Sequence, residues 1–325
     1  MIAPLELGER VEVSAPASLS NLGPGFDTLG LAISGVSDRV IASVTDQPGV
    51  HVSSITGTSA KLPLNPTRNT ASRAATRVLE RAGASIGLSL EIQKGIPLGS
   101  GIGGSAASAV AGAWAANLAL GQPFSKAELV DAVLHGEEAA SGSRHGDNVL
   151  PALFGGLVLT SASTPERYRE LTMPAPLPLA VVVPGCSVLT SEARAILPSS
   201  VPLRDAVHNA SDLAFLVHAL TLGDWQAAGS FIMQDRLVEP VRAQLVPCYD
   251  AVKQAAIEAR ALGCALTGSG PAMFAICASP GDAERVLGVM LSASQSAGLS
   301  AIGWATEADT LGVREGAGAS NEVPA

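Results

Sequence analysis

Aromatic residues make up only 3% of the 325-residue chain, so its core has to be built from Ala, Val, Leu and Ile. Charge is also scarce: 15% of residues are charged against 47% hydrophobic, which excludes a disordered chain. Of that charge, the basic share is the smaller, with 20 Lys and Arg against 29 Asp and Glu, a net −9 and no basic block. A protein that grips a nucleic-acid backbone is excluded on that ground, and so is a general binder of anions. Any phosphate site must be local and made largely of backbone N–H groups. The four cysteines, Cys186, Cys248, Cys264 and Cys277, form no CxxC pair. That excludes a zinc cluster or disulfide scaffold and suits a reducing, cytoplasmic setting. The opening MIAPLELGERVEVSAPA has no basic segment followed by an apolar run, so it is not a signal peptide. Gly95–Ser125, Asn148–Pro165 and Leu171–Ser191 carry no charge. Their Gly, Ser, Ala and Pro content reads as buried segments of a soluble protein and predicts no membrane span. No period of roughly 20–50 residues recurs, so a solenoid is excluded.

What is present is a mixed α+β pattern, long enough for two domains. Arg10–Ser14 alternates as a short strand, and the Pro-, Gly-, Ser- and Asn-dense Pro16–Gly30 reads as a loop. Leu31–Ile33, Asp38–Thr45, Val50–Ile55, Gly87–Gln93 and Gly155–Ser161 read as strands. Asn69–Ala82 reads as a helix with Ala71, Ala74, Ala75, Val78 and Leu79 on one face, Asn69 or Thr70 as its cap and Gly83 as its stop. Further helix is expected from about Gly104 to Leu120, and over Ser125–His135 and Glu137–Ser141. The proline-rich Met173–Pro178 reads as a boundary. Beyond it, strands are expected at Leu179–Val183, Cys264–Leu266, Met273–Cys277 and Ser300–Ala305. Helices are expected at Ser191–Leu197, Asp205–Leu222, Asp224–Phe231, Val246–Leu262 and Pro280–Ala297. This predicts an N-terminal nucleotide-binding domain over 1–170, with a late strand from 300–310 as an optional member. A C-terminal domain over 171–300 and a frayed tail over 316–325 complete the division.

The strongest local feature is Pro97–Leu98–Gly99–Ser100–Gly101–Ile102–Gly103–Gly104–Ser105–Ala106, between an expected strand and an expected helix. Glycines let successive N–H groups converge, and the helix start adds unpaired donors and a field that favours anions. The plain alternative is a tight strand–helix turn of small residues; the glycine density exceeds what such a turn requires. Gly99, Gly101 and Gly104 satisfy GxGxxG by spacing, but Gly95 and Pro97 separate the motif from its strand and no acid follows at 119–124. The GxxxxGK[ST] pattern, HRD and DFG are all absent. The loop therefore reads as a phosphate site outside the common nucleotide classes.

PLGSGIGGSAAS resembles the phosphate loop of the small-molecule kinases that include galactokinase, homoserine kinase, mevalonate kinase and phosphomevalonate kinase. SAPASLSNLGPGFDTLGLAI (Ser14–Ile33) and GEEAASGSRHGDNVLPALFGG (Gly136–Gly156) resemble the opening and middle motifs of homoserine kinases. LTGSGPAMFAI (Leu266–Ile276), SEAR (Ser191–Arg194) and EPVR (Glu239–Arg242) follow in the expected order. The resemblance implies an N-terminal domain like domain 2 of ribosomal protein S5, a ferredoxin-like C-terminal domain and an active site between them. It implies ATP and Mg2+ as cofactors, L-homoserine as substrate, O-phosphohomoserine as product and a homodimer. A mevalonate-like substrate, or a ligand-binding relative without turnover, is the alternative reading. Gly104 stands where the family usually has a first serine, while the magnesium-binding serine is kept as Ser105.

The resemblance also implies roles for single residues. Glu137, with Ser105, falls at the magnesium position; read alone it is a solvated helix carboxylate. Its neighbour Glu138 lies about 100° round the helix and is expected to be the exposed one of the two. Arg194 and Arg242 fall at the substrate-carboxylate positions, which suits the planar guanidinium fork. Without the resemblance they read as surface arginines paired with Glu192 and Glu239. Asn21 and Asp27 match residues that hold the amino and hydroxyl end, with Asp27 expected to orient substrate; Asn21 alone also reads as a turn residue. Thr190 joins this substrate group. The middle motif puts Asn148 near substrate or backbone and gives His145 a shaping role in a short loop. Gly268, Ser269 and Gly270 are expected to line the cleft, or by pattern alone to connect a hairpin.

Overall fold

The computed structural model describes residues 3–316. The first sheet is built on a hairpin of unusual length. β1 (Arg10–Asn21) runs antiparallel to β2 (Gly25–Thr45), so the stretch Pro16–Gly30 is paired strand and not the expected loop. Prolines and glycines are tolerated there because the ladder is bulged: the register shifts between Pro16 and Ala17 and again between Ser20 and Asn21. Alternation still sets the buried face, with Val11, Val13, Ala15, Ala17 and Leu19 all in the core. β3 (Gly49–Thr56) lies parallel to β4 (Gly87–Gln93), and β4 pairs with the second half of β2.

α1 (Thr70–Ala82) joins β3 to β4. Asn69 caps it, its Oδ1 accepting from Ser72 N at 3.2 Å, and Gly83 ends it in the left-handed region. α2 (Gly104–Ala119) is buried from Ala106 onward on every side, lying between the sheet, α1 and α3 (Val130–Ser141). Only small side chains permit that sandwich, and Gly112 shows why: a Cβ there would strike the carbonyl of Ala71 on α1. The segment read as a loop around His145 is instead α4 (Gly146–Phe154). β5 (Leu157–Thr160) pairs with the first half of β2, and β6 (Tyr168–Leu171), which the pattern did not reveal, pairs with β5.

The second sheet opens with β7 (Pro178–Pro184), followed by α5 (Thr190–Ala195), α6 (Leu203–Leu222), α7 (Trp225–Ile232), the single turn α8 (Glu239–Arg242) and α9 (Tyr249–Glu258). β8 (Gly263–Leu266), β9 (Met273–Ile276), α10 (Pro280–Ser296) and β10 (Ala301–Glu307) complete it in the order β10-β7-β9-β8. The strand expected within 300–310 to rejoin the N-terminal domain therefore belongs elsewhere: β10 pairs along its whole length with β7. The chain returns to the first sheet only at a bridge from Ala308 to Ile33 and at β11 (Arg314–Glu315) on the edge of β1. The tail expected to fray lies, apart from Gly316, outside the described residues.

Two cores follow from the period-2 pattern of β7. Leu179, Val181 and Val183 face a large core that continues into the first sheet. Ala180 and Val182 face a smaller one beneath α9 and α10. The large core therefore runs without a break from one sheet to the other. Among the described residues, no helix is long and apolar enough to cross a membrane.

Candidate active site

The glycine-rich loop leaves the end of β4 and enters α2, and it turns by alternation. Gly99, Gly101 and Gly103 all have positive φ, a pattern that turns successive N–H groups toward one side. Two of these glycines are also forced by neighbours. A Cβ on Gly101 would lie 2.7 Å from Gly270 O, and one on Gly103 would collide with Ser18 Oγ. The turn Thr267–Gly270 and strand β1 thus both pack closely against the loop. Ala272 N donates to Ser100 O at 3.0 Å and Gly268 N to Ser20 O at 3.3 Å.

Beneath the loop lies a buried charge that sequence reasoning missed. Lys94 Nζ pairs with Asp38 and donates to Gly104 O at 2.8 Å and Ser108 Oγ at 2.9 Å. Asp38 Oδ1 accepts from Gly95 N and Ile96 N, both at 3.1 Å. Strand β2, the start of the loop and the first turn of α2 are therefore tied at one point. The only sequence signal was a lone lysine closing an alternating strand. A serine at 104 would bring its Cβ within 3.2 Å of Ile96 Cγ2, so the glycine gives slack at that crowded corner.

A cleft of about 430 Å³ runs from this loop to the second sheet, within the range of small-molecule sites. Pro97, Leu98, Gly99, Ser100, Gly101, Gly103, Gly104 and Ser105 line it; Ile102 and Ala106 do not, because both are wholly buried in the core. Asn21, Asp27, Glu137, His145, Asn148, Thr190, Arg194, Arg242, Gly268 and Ser269 line it as well, whereas Gly270 lies behind it. Residues from six regions of the sequence are thus brought to one cavity.

At the loop end, Ser105 Oγ donates to Glu137 Oε1 at 2.8 Å across from α2 to α3. Glu137 is buried, while Glu138 is 40% exposed beside Arg73 and His135, the division expected from their helical spacing. Burial pushes the Glu137 carboxyl up to about 7, against the lowering pull of the Ser105 hydrogen bond. Two hard oxygens side by side suit a magnesium ion, whose remaining ligands would be phosphate and water.

At the other end, Arg194 makes a two-pronged pair with Asp27, both contacts at 3.1 Å. Its Nη2 also lies 3.3 Å from His145 Nε2. Arg242 is buried, donating from Nε to Ala193 O at 3.2 Å and from Nη1 to Gly268 O at 2.7 Å. Neither arginine pairs with Glu192 or Glu239. Both guanidinium groups lie over the Phe26 ring, at 5.6 Å and 5.0 Å, a cation–π contact the sequence did not announce. Asn21 and Asp27 both hold positive φ, at 70° and 53°, and Asn21 Oδ1 accepts from Asp27 N at 3.3 Å. Strained non-glycine backbone of this kind costs energy and is typical of functional segments.

Asn148 is held by β1: Ser18 Oγ donates to its Oδ1 at 2.9 Å and its Nδ2 donates to Ser20 Oγ at 3.0 Å. Burial lowers the pKa of His145, against the raising pull of Asp27. Asp147, to which no role was assigned from sequence, is a second buried carboxylate in the cleft. Desolvation, reinforced by the charge of Asp27, pushes it up to about 7.

Comparisons with known proteins place the chain in a family. Residues 69–156 match the GHMP kinases N terminal domain and residues 216–294 the GHMP kinases C terminal model. A homoserine kinase of Xylella fastidiosa is 39% identical over 300 residues, 92% of each chain. One of Chlorobium phaeobacteroides is 40% identical over 282 residues, covering 84% of this chain and 88% of the relative. The crystal structure of homoserine kinase from Cytophaga hutchinsonii superposes with a TM-score of 0.92 at 36% identity, covering 97% of this chain and all of that one. A Leishmania major mevalonate kinase shares the fold at TM-score 0.75 and 19% identity. With its glycine loop, buried Ser105–Glu137 pair and arginine-lined far end in one cleft, the chain belongs to the homoserine kinase branch of the GHMP kinase family.

Proposed function

We propose that the protein transfers the γ-phosphoryl group of ATP to the side-chain hydroxyl of L-homoserine, giving O-phospho-L-homoserine for threonine synthesis. The observation that carries this reading is the lining of one cleft by the glycine-rich loop, the Ser105–Glu137 pair, and Asp27 with Arg194 and Arg242.

The N–H groups of Gly99–Ser105 receive the β- and γ-phosphates. Ser105 and Glu137 hold Mg2+, which when bound neutralises phosphate charge. Arg242 and Arg194 receive the homoserine carboxylate, and Asp27 its ammonium. To do so Asp27 and Arg194 exchange their bond to each other for bonds to the two charges of the substrate. A mevalonate-like substrate offers a carboxylate but no ammonium, and would leave Asp27 without a counter-charge. Asn148, fixed by Ser18 and Ser20, holds the hydroxyl in line, and His145 shapes the wall beside Arg194. The hydroxyl oxygen bonds to the γ-phosphorus as the bond to the β–γ bridging oxygen breaks, and ADP leaves with that electron pair. The hydroxyl proton passes to the transferred phosphoryl group. Positioning and charge neutralisation supply most of the catalysis.

The same reading places the enzyme in the cytoplasm as a homodimer, which sedimentation velocity would show. The direct test is ADP release with magnesium and a panel of hydroxylated acceptors. L-homoserine should be the acceptor used, and a preference for mevalonate would overturn the substrate assignment.

A further inference from the structure

Arg242 owes its place to an element that cannot hold itself. α8 is one turn, Glu239–Arg242, and a single turn fixes several residues for one hydrogen bond. Its position must come from outside contacts, and two sets supply it. Asp235 caps its start, Oδ1 accepting from Leu237 N at 2.9 Å and Val238 N at 3.2 Å, and Oδ2 from Glu239 N at 2.7 Å. The second set is a polar cluster in which Glu239 is buried and Tyr249 and Lys253 are half-buried. Glu239 is only 6% exposed, and its Oε1 accepts from the Tyr249 hydroxyl and from Lys253 Nζ at 2.6 Å. Lys253 Nζ also lies 2.7 Å from the Tyr249 hydroxyl. Tyr249 and Lys253 are four apart on α9 and so share a face, and α9 is itself seated in the small core through Val252 and Ala256.

Energetically this cluster is an odd choice. Taking the Glu239 carboxylate out of water, with Lys253 only partly enclosed, costs so much desolvation that apolar side chains of similar volume would hold two helices together as well or better. Burial pushes the Glu239 carboxyl upward against the pull of Lys253, and its Oε2 is buried with no hydrogen-bond partner among the described residues. What the cluster gives that apolar side chains do not is direction. The carboxylate fixes the rotation of α8 about its short axis, and three residues on, Arg242 spans from Ala193 O to Gly268 O. None of the three residues lines the cleft.

We propose that Glu239, Tyr249 and Lys253 form a positioning triad that aims the Arg242 guanidinium at the substrate carboxylate. This rests on the role given to Arg242 above. Its loss should weaken homoserine binding while sparing nucleotide binding, a split that general destabilisation does not produce.

The test uses the full-length enzyme with steady-state kinetics for both substrates. E239Q and K253M should raise the homoserine KM about tenfold, the scale of a lost charge-assisted hydrogen bond, with the ATP KM unchanged. Y249F, which keeps the ion pair, should have a smaller effect and stands in if the others fail to fold. Val44→Ala, in the large core at the far end of β2, should lower the thermal midpoint and leave both KM values alone. In an R242A background, E239Q should add nothing further to the homoserine KM. A homoserine KM unchanged in E239Q and K253M, or an effect that adds fully to that of R242A, would overturn the triad while R242A remained impaired. An R242A enzyme with normal homoserine kinetics would overturn the Arg242 assignment, and the triad with it.

Discussion

At the scale of single residues, the cleft sorts its charges by burial, and burial decides how much each should matter. Arg242 is nearly enclosed, whereas the Arg194 side chain is 42% exposed. Truncating one partner of a buried, hydrogen-bonded charge pair costs about 2–5 kcal/mol, while exposed pairs are worth about 0–1 kcal/mol. R242A should therefore raise the homoserine KM well beyond R194A, with the ATP KM steady in both, as initial-rate kinetics would measure. Glu137 and Glu138 give a matched pair of the same kind. E137A should weaken the magnesium dependence of turnover by more than the roughly 10–100-fold typical of an outer-shell partner. E138A, on the solvent side, should stay near wild type, and equal effects would reject the metal assignment. That Glu137, Arg194 and Arg242 line one cleft was legible only through the resemblance, because read alone each is a surface charge. Lys94, Phe26 and Asp147 were not legible. Their significance comes from what folds next to them, namely Asp38, two guanidinium groups and Asp27.

At the scale of elements, small residues are the fold's main device. α2 is threaded between a sheet and two helices, and a methyl group at Gly112 has nowhere to go. G112A should destabilise by about 1–3 kcal/mol, the usual cost of overpacking, seen as a lower urea midpoint with an unchanged slope. The two buried carboxyls of α3 and α4 carry a pH signature. Glu137 and Asp147 both titrate at about 7 in the fold, against ordinary values of 4.5 and 3.8. A folded pKa above the unfolded one means that the native state retains protons the unfolded chain has released. That stabilisation is full below the unfolded values and is lost as pH rises through about 7. The thermal midpoint of the ligand-free protein should carry this falling contribution between about pH 4 and pH 7, and D147N should flatten it. An identical slope in D147N would show that Asp147 does not titrate there. Helices with strong periodicity, such as α1 with its Asn69 cap, could be read from sequence to within a residue. The hairpin β1–β2 could not: its prolines and glycines mimic a loop, and only the bulges seen in the ladder reconcile them with pairing. α4 was hidden for a similar reason, since Gly146 and Pro151 both argue locally against helix.

At the scale of the whole molecule, the site exists because the chain crosses between its two sheets and comes back. The loop and Ser105–Glu137 belong to the first, Arg194 and Arg242 to segments around the second, and Thr267–Gly270 presses one against the other. Neither sheet alone brings together the glycine-rich loop and the two arginines. Composition foretold two units with mixed secondary structure, but not which sheet would own β10. Pairing partners far apart in sequence leave no local trace, and β10 and β11 are separated by only a few residues yet serve different sheets. The claim that ties these scales together is that a magnesium nucleotide and a small amino-acid alcohol meet in this one cleft. Phosphorus NMR of the purified protein with ATP, magnesium and L-homoserine tests it most directly. The account predicts a phosphate monoester of homoserine appearing in step with ADP, one for one, and absent when homoserine or magnesium is left out. ADP accumulating with inorganic phosphate alone, or no turnover with homoserine present, would contradict it.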